Sequence, residues 1–402
     1  MKIILYELKK MLTPFFICVF LLLTAVNVFS VADNARHYDP FYGYDDMESL
    51  YTEHCEKISG PITDDTLKLI TDKYNEASNA LKGYDAGEPE TEGWQGDYNV
   101  YSQIISELKQ SYYYGKNMSE TVKKAESNMQ NSQPDSYQYK RNELIVKRYS
   151  GRSISAYYRT DGFEALFNCK FSLLLTLMLV VFAISPIMCS DREQGMHMLI
   201  LSSKRGSRNL VCSKAAAAAI LCCGTVIWFE LVNIITVSVT NGLYGWGNPI
   251  YSIPSFEQTP YNLTIIGYEL ICVMLRAAAV FEIALAVILI SSVSANGMIS
   301  LVISFAVVSL LIILSDTVNS RGYAYTADRL NPMLLIDLTP QVTGFQTVNV
   351  FGVSLLYADA SVIFGFIVSA ALFILDLTLN RTAVHKQAGL FHKTENRNAD
   401  RA

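Results

Sequence analysis

The chain has 402 residues, 51% of them hydrophobic and only 17% charged, with a formal net charge of −5. So few charges, gathered between long apolar runs, exclude an ordinary water-soluble globule and point to a chain that lives in a bilayer. Eight cysteines and five scattered histidines give neither zinc-ligand spacing nor a disulfide framework; a single Cys55–Cys169 bridge is left open.

Residues 1–11 read as an amphipathic surface helix, because Ile4, Leu5, Leu8 and Met11 recur at helical spacing while Lys2, Lys9 and Lys10 point elsewhere. Pro14 marks where that helix turns into the membrane. An apolar bilayer core about 30 Å thick needs about 20 apolar residues per helix. Runs at 12–32, 163–188, 213–240, 263–291, 297–318 and 355–379 meet that length, which predicts six spans. The first run also resembles a signal peptide, with Ala32 and Ala35 offering small residues for cleavage. Its full span length and the patterned helix before it favour a retained span.

Residues 33–162, between the first two runs, are long enough for a domain of their own and hold 22 acids against 15 bases. Their apolar residues recur at helical period. Leu67, Ile70, Tyr74, Ala77 and Leu81 form one stripe, opened by Pro61 and Thr63 with Asp64 and Asp65 in the first turn. Tyr101, Ile105, Leu108 and Tyr112 form a second, and Val122, Ala125 and Met129 a weaker third. Breaks are expected over Gly83–Gly96 and near Asn131–Pro134. Sixteen of the 24 tyrosines fall in this domain. A ligand-binding aromatic surface is conceivable, but core filling and membrane-boundary packing explain them more simply.

The segment 189–212 follows the second run. It carries a charged turn, a short apolar stretch from Met196 to Leu201, and a basic turn leading back into the membrane. Such a stretch is too short to span and reads as an amphipathic helix at the membrane surface. Later, 319–354 contains Pro332 and Pro340 among apolar patches, and 380–402 is a basic tail. Lysine and arginine crowd one side: Lys2, Lys9 and Lys10 before the first run, Arg192, Lys204, Arg205, Arg208 and Lys214 after the second, and five more in the tail. The loop 241–262 has none, and 319–354 only Arg321 and Arg329. This bias predicts both termini in the cytoplasm and the 33–162 domain outside.

The sequence thus predicts an all-α polytopic membrane protein of six transmembrane helices with a mostly helical extracytoplasmic domain. Charged residues within the runs are costly, about 2.5–3.5 kcal/mol at the bilayer centre, and are functional candidates by default. They are Glu230, Glu269, Arg276 and Glu282, with Asp359 and Asp376 nearer span ends. Glu269 lies seven positions before Arg276 on one helix face, and Glu230 can reach Arg276 from the neighbouring helix, so either a packed ion pair or part of a substrate path is expected. No GxxxxGK[ST], GxSxG, HExxH or GxGxxG pattern occurs. The chain therefore offers no nucleotide-hydrolysing engine, no cofactor or metal site and no nucleic-acid-binding motif.

The 190–214 loop resembles the loop between the second and third spans of ABC-2 type (type V) transporter permeases. The matching residues are Glu193, Gly195, Leu199, Leu201, Ser202, Ser203, Arg208 and Lys214; Met196 stands where that family often has Thr, and Ser203 and Lys204 where it often has Pro. A surface helix before the first span, six spans, and a long segment before the sixth extend the resemblance to the whole layout. The resemblance implies a permease subunit whose loop, with Met196 and its neighbours, docks as a coupling helix on a separate ATP-binding cassette ATPase. It also implies pairing with a second copy or a homologous permease, and small re-entrant helices in 319–354. The competing readings are a secondary transporter driven by the intramembrane charges, and a non-transporting sensor or scaffold whose outer domain binds a ligand.

Overall fold

The computed structural model describes residues 2–82, 89–195, 206–317, 331–350 and 352–399. α1 (Lys2–Met11) ends where Thr13 caps α2 (Pro14–His37). The Thr13 hydroxyl accepts from Phe16 N at 3.1 Å, and Pro14 takes the first helical position, where its missing N–H has no partner to lose. The chain then leaves the bundle for an inserted domain of four helices: α3 (Asp45–Ile58), α4 (Asp64–Leu81), α5 (Pro89–Gln130) and α6 (Tyr137–Tyr149). Two-residue strands β1 (Gly60–Pro61) and β2 (Ala156–Tyr157) pair antiparallel near its exit.

Helix α4 starts at a capping box between Thr63 and Thr66. It buries Ile70 and Ala77 of the predicted stripe. The second and third stripes are not separate elements. They lie on the single helix α5, which runs unbroken from Pro89 to Gln130 through Gly93, Gly96 and Gly115. The expected break over Gly83–Gly96 is thus corrected for residues 89–96, while 83–88 lie outside the described residues. Each glycine costs about 1 kcal/mol of helix propensity. Burying Val100, Ile104 and Leu108 with Tyr51, Ile70 and Tyr157 outweighs that, at about 1.5–3 kcal/mol per large side chain.

The second span is interrupted rather than continuous over 163–188: α7 (Asp161–Phe167), α8 (Lys170–Ile184) and α9 (Cys189–Glu193) succeed one another. Where α7 begins, Gly162 lets the chain pass Gly242 so closely that a Cβ would come within 2.2 Å of its carbonyl oxygen. Three further long helices follow: α10 (Gly206–Thr240), α11 (Ile265–Val293) and α12 (Gly297–Thr317). Short helices α13 (Met333–Ile336) and α14 (Thr339–Val342) precede a hairpin of β3 (Thr347–Val350) and β4 (Val353–Leu356), which the sequence reading did not foresee. α15 (Tyr357–Ala399) continues without a break past residue 380, where the sequence suggested a separate tail.

Among the described residues, six helical stretches are long and apolar enough to cross a membrane: α2, α7–α9, α10, α11, α12 and the first part of α15. The chain is an all-α polytopic membrane protein, with the strands among the described residues confined to two small two-stranded pairings. Burial separates centre from periphery. Within the most apolar window, 67% of the α7–α9 span is enclosed, against 17% for α2 and α12 and 11% for α15. Side chains such as Phe29, Met274 and Met298 on the outer helices stand exposed, as a lipid-facing surface requires. A polar chain pins the centre: Asn27 on α2 donates to Asn233 on α10 at 2.8 Å, and Asn233 donates to Ser172 on α8 at 3.1 Å. Bonds of this kind between spans contribute about 0.6 kcal/mol each. Cys55 and Cys169 are both free thiols: Cys55 lies in the domain core against the Tyr157 hydroxyl, and Cys169 bonds the Ala165 carbonyl.

Candidate functional site

Three charged assemblies stand out, one at each end of the bundle and one within it. At the end opposite the inserted domain, Lys214 on α10 is fully enclosed. Its ammonium meets Asp191 Oδ2 at 2.7 Å and Glu7 Oε2 at 3.2 Å, and donates to the Ile187 carbonyl. Lys10 completes the cluster, 2.7 Å from Asp191 Oδ1 and 3.4 Å from Glu7 Oε1. Two bases therefore face two acids, which is what makes so dry a site tolerable. Burial alone would lower the Lys10 ammonium, but its hydrogen bond to Asp191 and the charges of Asp191 and Glu7 leave it raised.

The cluster joins α1, α9 and the third turn of α10, so the helices on either side of residues 196–205 are tied together by one set of ion pairs. A second tie runs to the turn between α11 and α12. Arg192 donates to the carbonyls of Ser291 at 2.6 Å and Ser292 at 3.0 Å, and Glu193 Oε1 accepts from Gly297 N at 2.9 Å. The Glu193 carboxylate thus caps the start of α12, where a helix favours negative charge. Gly195 closes α9 at φ +69°. Among the expected coupling residues, Lys214 is buried, Glu193 is exposed yet reaches the start of α12, and Arg208 is exposed at the foot of α10. Met196, Leu199 and Leu201 lie outside the described residues.

Within the bundle, Arg276 on α11 pairs with Glu230 on α10 and donates through Nε to the Ile336 carbonyl of α13 at 3.0 Å. Helix α13 is buried against α11, α12 and α15, with Met333, Leu335 and Ile336 in the main core. Glu269 sits in the same electrostatic neighbourhood, two carboxyls to one guanidinium, and neither of its oxygens accepts from a donor group. Glu282, the fourth candidate, is not part of this group and lines the gap between α11 and α15. Asp359 accepts from the Tyr261 hydroxyl at 3.0 Å.

At the domain-bearing end the hub is Arg159. It grips Asp161 through Nε at 2.7 Å and Nη2 at 2.8 Å, reaches Asp39 at 2.6 Å and Thr52 at 2.9 Å, and lies over the Tyr51 ring. Asn241 at the end of α10 joins by donating to Asp161 at 3.1 Å and to the Ala35 carbonyl of α2 at 2.8 Å. The carboxylates raise the already basic guanidinium against the opposing effect of burial. Beyond it, Glu107 accepts from Tyr157 at 2.6 Å, Gln103 at 2.7 Å and Tyr51 at 3.0 Å. Burial drives the Glu107 carboxyl above the usual carboxylate range, against the pull of those three donors. It also pushes the neighbouring Cys55 thiol up to about 12, so that thiol is inert at neutral pH. Arg152 is clasped between the rings of Tyr149 and Tyr251 and donates to the Thr259 carbonyl at 2.6 Å. The domain's tyrosines therefore serve mainly as core and joint.

No group of three or more metal-ligating side chains converges among the described residues. Fold and assemblies together define an integral membrane protein of six spanning helices with a domain inserted between the first two. No family model, curated protein or solved structure matches the chain.

Proposed function

We propose that the chain is the permease subunit of an ATP-binding cassette transporter of the ABC-2 (type V) kind, exporting a substrate with energy from a separate ATPase. The observation that carries this reading is the braced loop. A connection whose flanking helices are joined by Lys214 and Asp191, and are tied to α1 and to the α11–α12 turn, is suited to pass a push from a docked partner into several helices at once. The charge bias of the flanks supports placing that loop in the cytoplasm of a prokaryotic cell and the inserted domain outside its cell membrane. The peripheral, exposed faces of α2 and α12 leave room for a second copy or a homologous permease, with a path between the two halves. Nucleotide closure of the ATPases would then favour one of two helix arrangements by differential contact at the loop.

Copurification tests this. Expressed with the reading frames that surround its gene, the chain should come down with a stoichiometric ATP-binding protein. Arg208→Glu, at an exposed position, should weaken that association while leaving the melting temperature of the chain unchanged. A chain purified alone that moves a substrate down an ion gradient would instead establish the secondary-transporter reading.

A further inference from the structure

The seam between α11 and α15 is poorly filled. Three adjoining cavities of about 170, 220 and 400 Å³ lie along it. The first shares Glu282 with the second, and Leu275 and Val362 with the third, so together they form one groove. Its rim includes Ile271, Ile363, Phe364 and Phe366, all exposed on the lipid-facing side. A molecule dissolved in the bilayer can therefore reach it.

Two carboxylates interrupt the apolar lining, Asp359 at one end, bonded by the Tyr261 hydroxyl, and Glu282 where the other two cavities meet. Glu282 is only 4% exposed, and no hydrogen bond or ion pair involves it among the described residues. Its Oε2 packs close against Gly365, where an added Cβ would come within 3.1 Å of that oxygen and 3.0 Å of Leu335 Cδ1. Glu230 has Arg276 and Asp359 has Tyr261; Glu282 has open space instead. A carboxylate in such surroundings is costly unless something charged or hydrogen-bonding answers it. A bare magnesium or calcium ion does not fit, because it needs six or more oxygen ligands and the two cavities that Glu282 lines add only hydroxyls such as those of Ser304 and Ser369; nor do three metal-ligating side chains converge here among the described residues. An anion is excluded by charge.

We propose that this groove binds an amphiphilic organic cation, its ammonium group at Glu282 and its apolar body along the α11–α15 seam. The larger cavity lies within the size range of pockets that enclose drug-sized ligands, about 300–1,000 Å³, and Gly365 keeps the space in front of the carboxylate clear. This deepens the permease reading by naming a substrate class. Binding is nevertheless measured on the purified chain without any ATPase, so loss of ATPase association and loss of amphiphile binding are separate results.

The experiment uses the full chain in phosphatidylcholine nanodiscs and spin-labelled dodecylammonium as the probe. A motionally restricted fraction of probe should appear, displaced by dodecyltrimethylammonium but not by dodecanol or dodecyl sulfate. Glu282→Gln should weaken the probe by roughly tenfold or more, the scale of a lost charged contact. Gly365→Val, which keeps the charge and fills the space, should weaken it similarly, and this variant carries the test should Glu282→Gln fail to fold. Equal displacement by all three dodecyl compounds, or unchanged affinity in the variants, would overturn the proposal in favour of simple partitioning. So would complete blockade by phosphatidylethanolamine added to the nanodiscs, which would make the groove the seat of a resident lipid.

Discussion

Replacing Lys214 by methionine removes one of two bases from a cluster that is almost closed to solvent. Asp191 is 1% exposed and Glu7 3%. In the variant both carboxylates would share Lys10 alone, leaving one buried negative charge without an answer. Breaking a buried pair in this way costs about 3–5 kcal/mol, whereas replacing both partners by neutral groups is often close to free. Lys214→Met should therefore be strongly destabilised, and Asp191→Asn combined with it should recover most of the loss, with a coupling of about 2–3 kcal/mol. The assay is reversible unfolding of the full chain in mixed micelles, followed by circular dichroism for the wild type, both single variants and the double variant. Strictly additive costs, or a Lys214→Met melt equal to wild type, would refute the picture of a charge-balanced brace.

The same logic places Arg276→Gln at about 3–5 kcal/mol, since it strands Glu230 and Glu269 together; Glu230→Gln, which leaves Glu269 to answer the guanidinium, should cost less in the same unfolding assay. The inserted domain should lose stability as pH rises. Glu107 holds its proton more tightly folded than unfolded, so its contribution is fully present below the ordinary carboxyl value, about 4.3, and fades as pH climbs through the higher folded value. Melting curves between pH 4 and 8 should therefore converge on, or fall below, those of Glu107→Gln toward the alkaline side; parallel curves would contradict the assignment.

The spans were legible because a bilayer demands about 20 apolar residues in a row, and few other structures do. Their interruptions were not. The break at Asn168–Cys169 leaves no mark on hydropathy, the early end of α8 at Ile184 was signalled only by Pro186 two residues on, and the run of α5 past three glycines is a case where tertiary burial overrides local propensity. Lys214 was visible as a residue of the loop pattern, but its burial was not foreseen. A lysine between Val211 and the run Ala215–Ala219 is already inside the apolar stretch, and that position was the available signal for burial. Arg159 escaped notice because it sits in a segment of no helical or strand period, and its partners Asp39, Asp161 and Asn241 are far apart in the chain. The β3–β4 hairpin had a local cue in the alternation of Thr347–Val350 and in Gly352, which takes φ +83°. The Glu230–Arg276 pairing could be anticipated from two opposite charges in neighbouring spans, but its third member, the Ile336 carbonyl, could not.

The grip of Arg159 on both Asp39 and Asp161 shows how the inserted domain is held at its root. Those two acids mark the points where the chain departs from α2 and returns to α7, so a single guanidinium ties the two stumps of the excursion together like a drawstring. With Asn241 anchoring the knot to α2 and α10, the root of the domain is fastened to the bundle, while Tyr114 on the Glu257 carbonyl and Tyr149 on the Gln258 carbonyl steady the domain over the chain between α10 and α11.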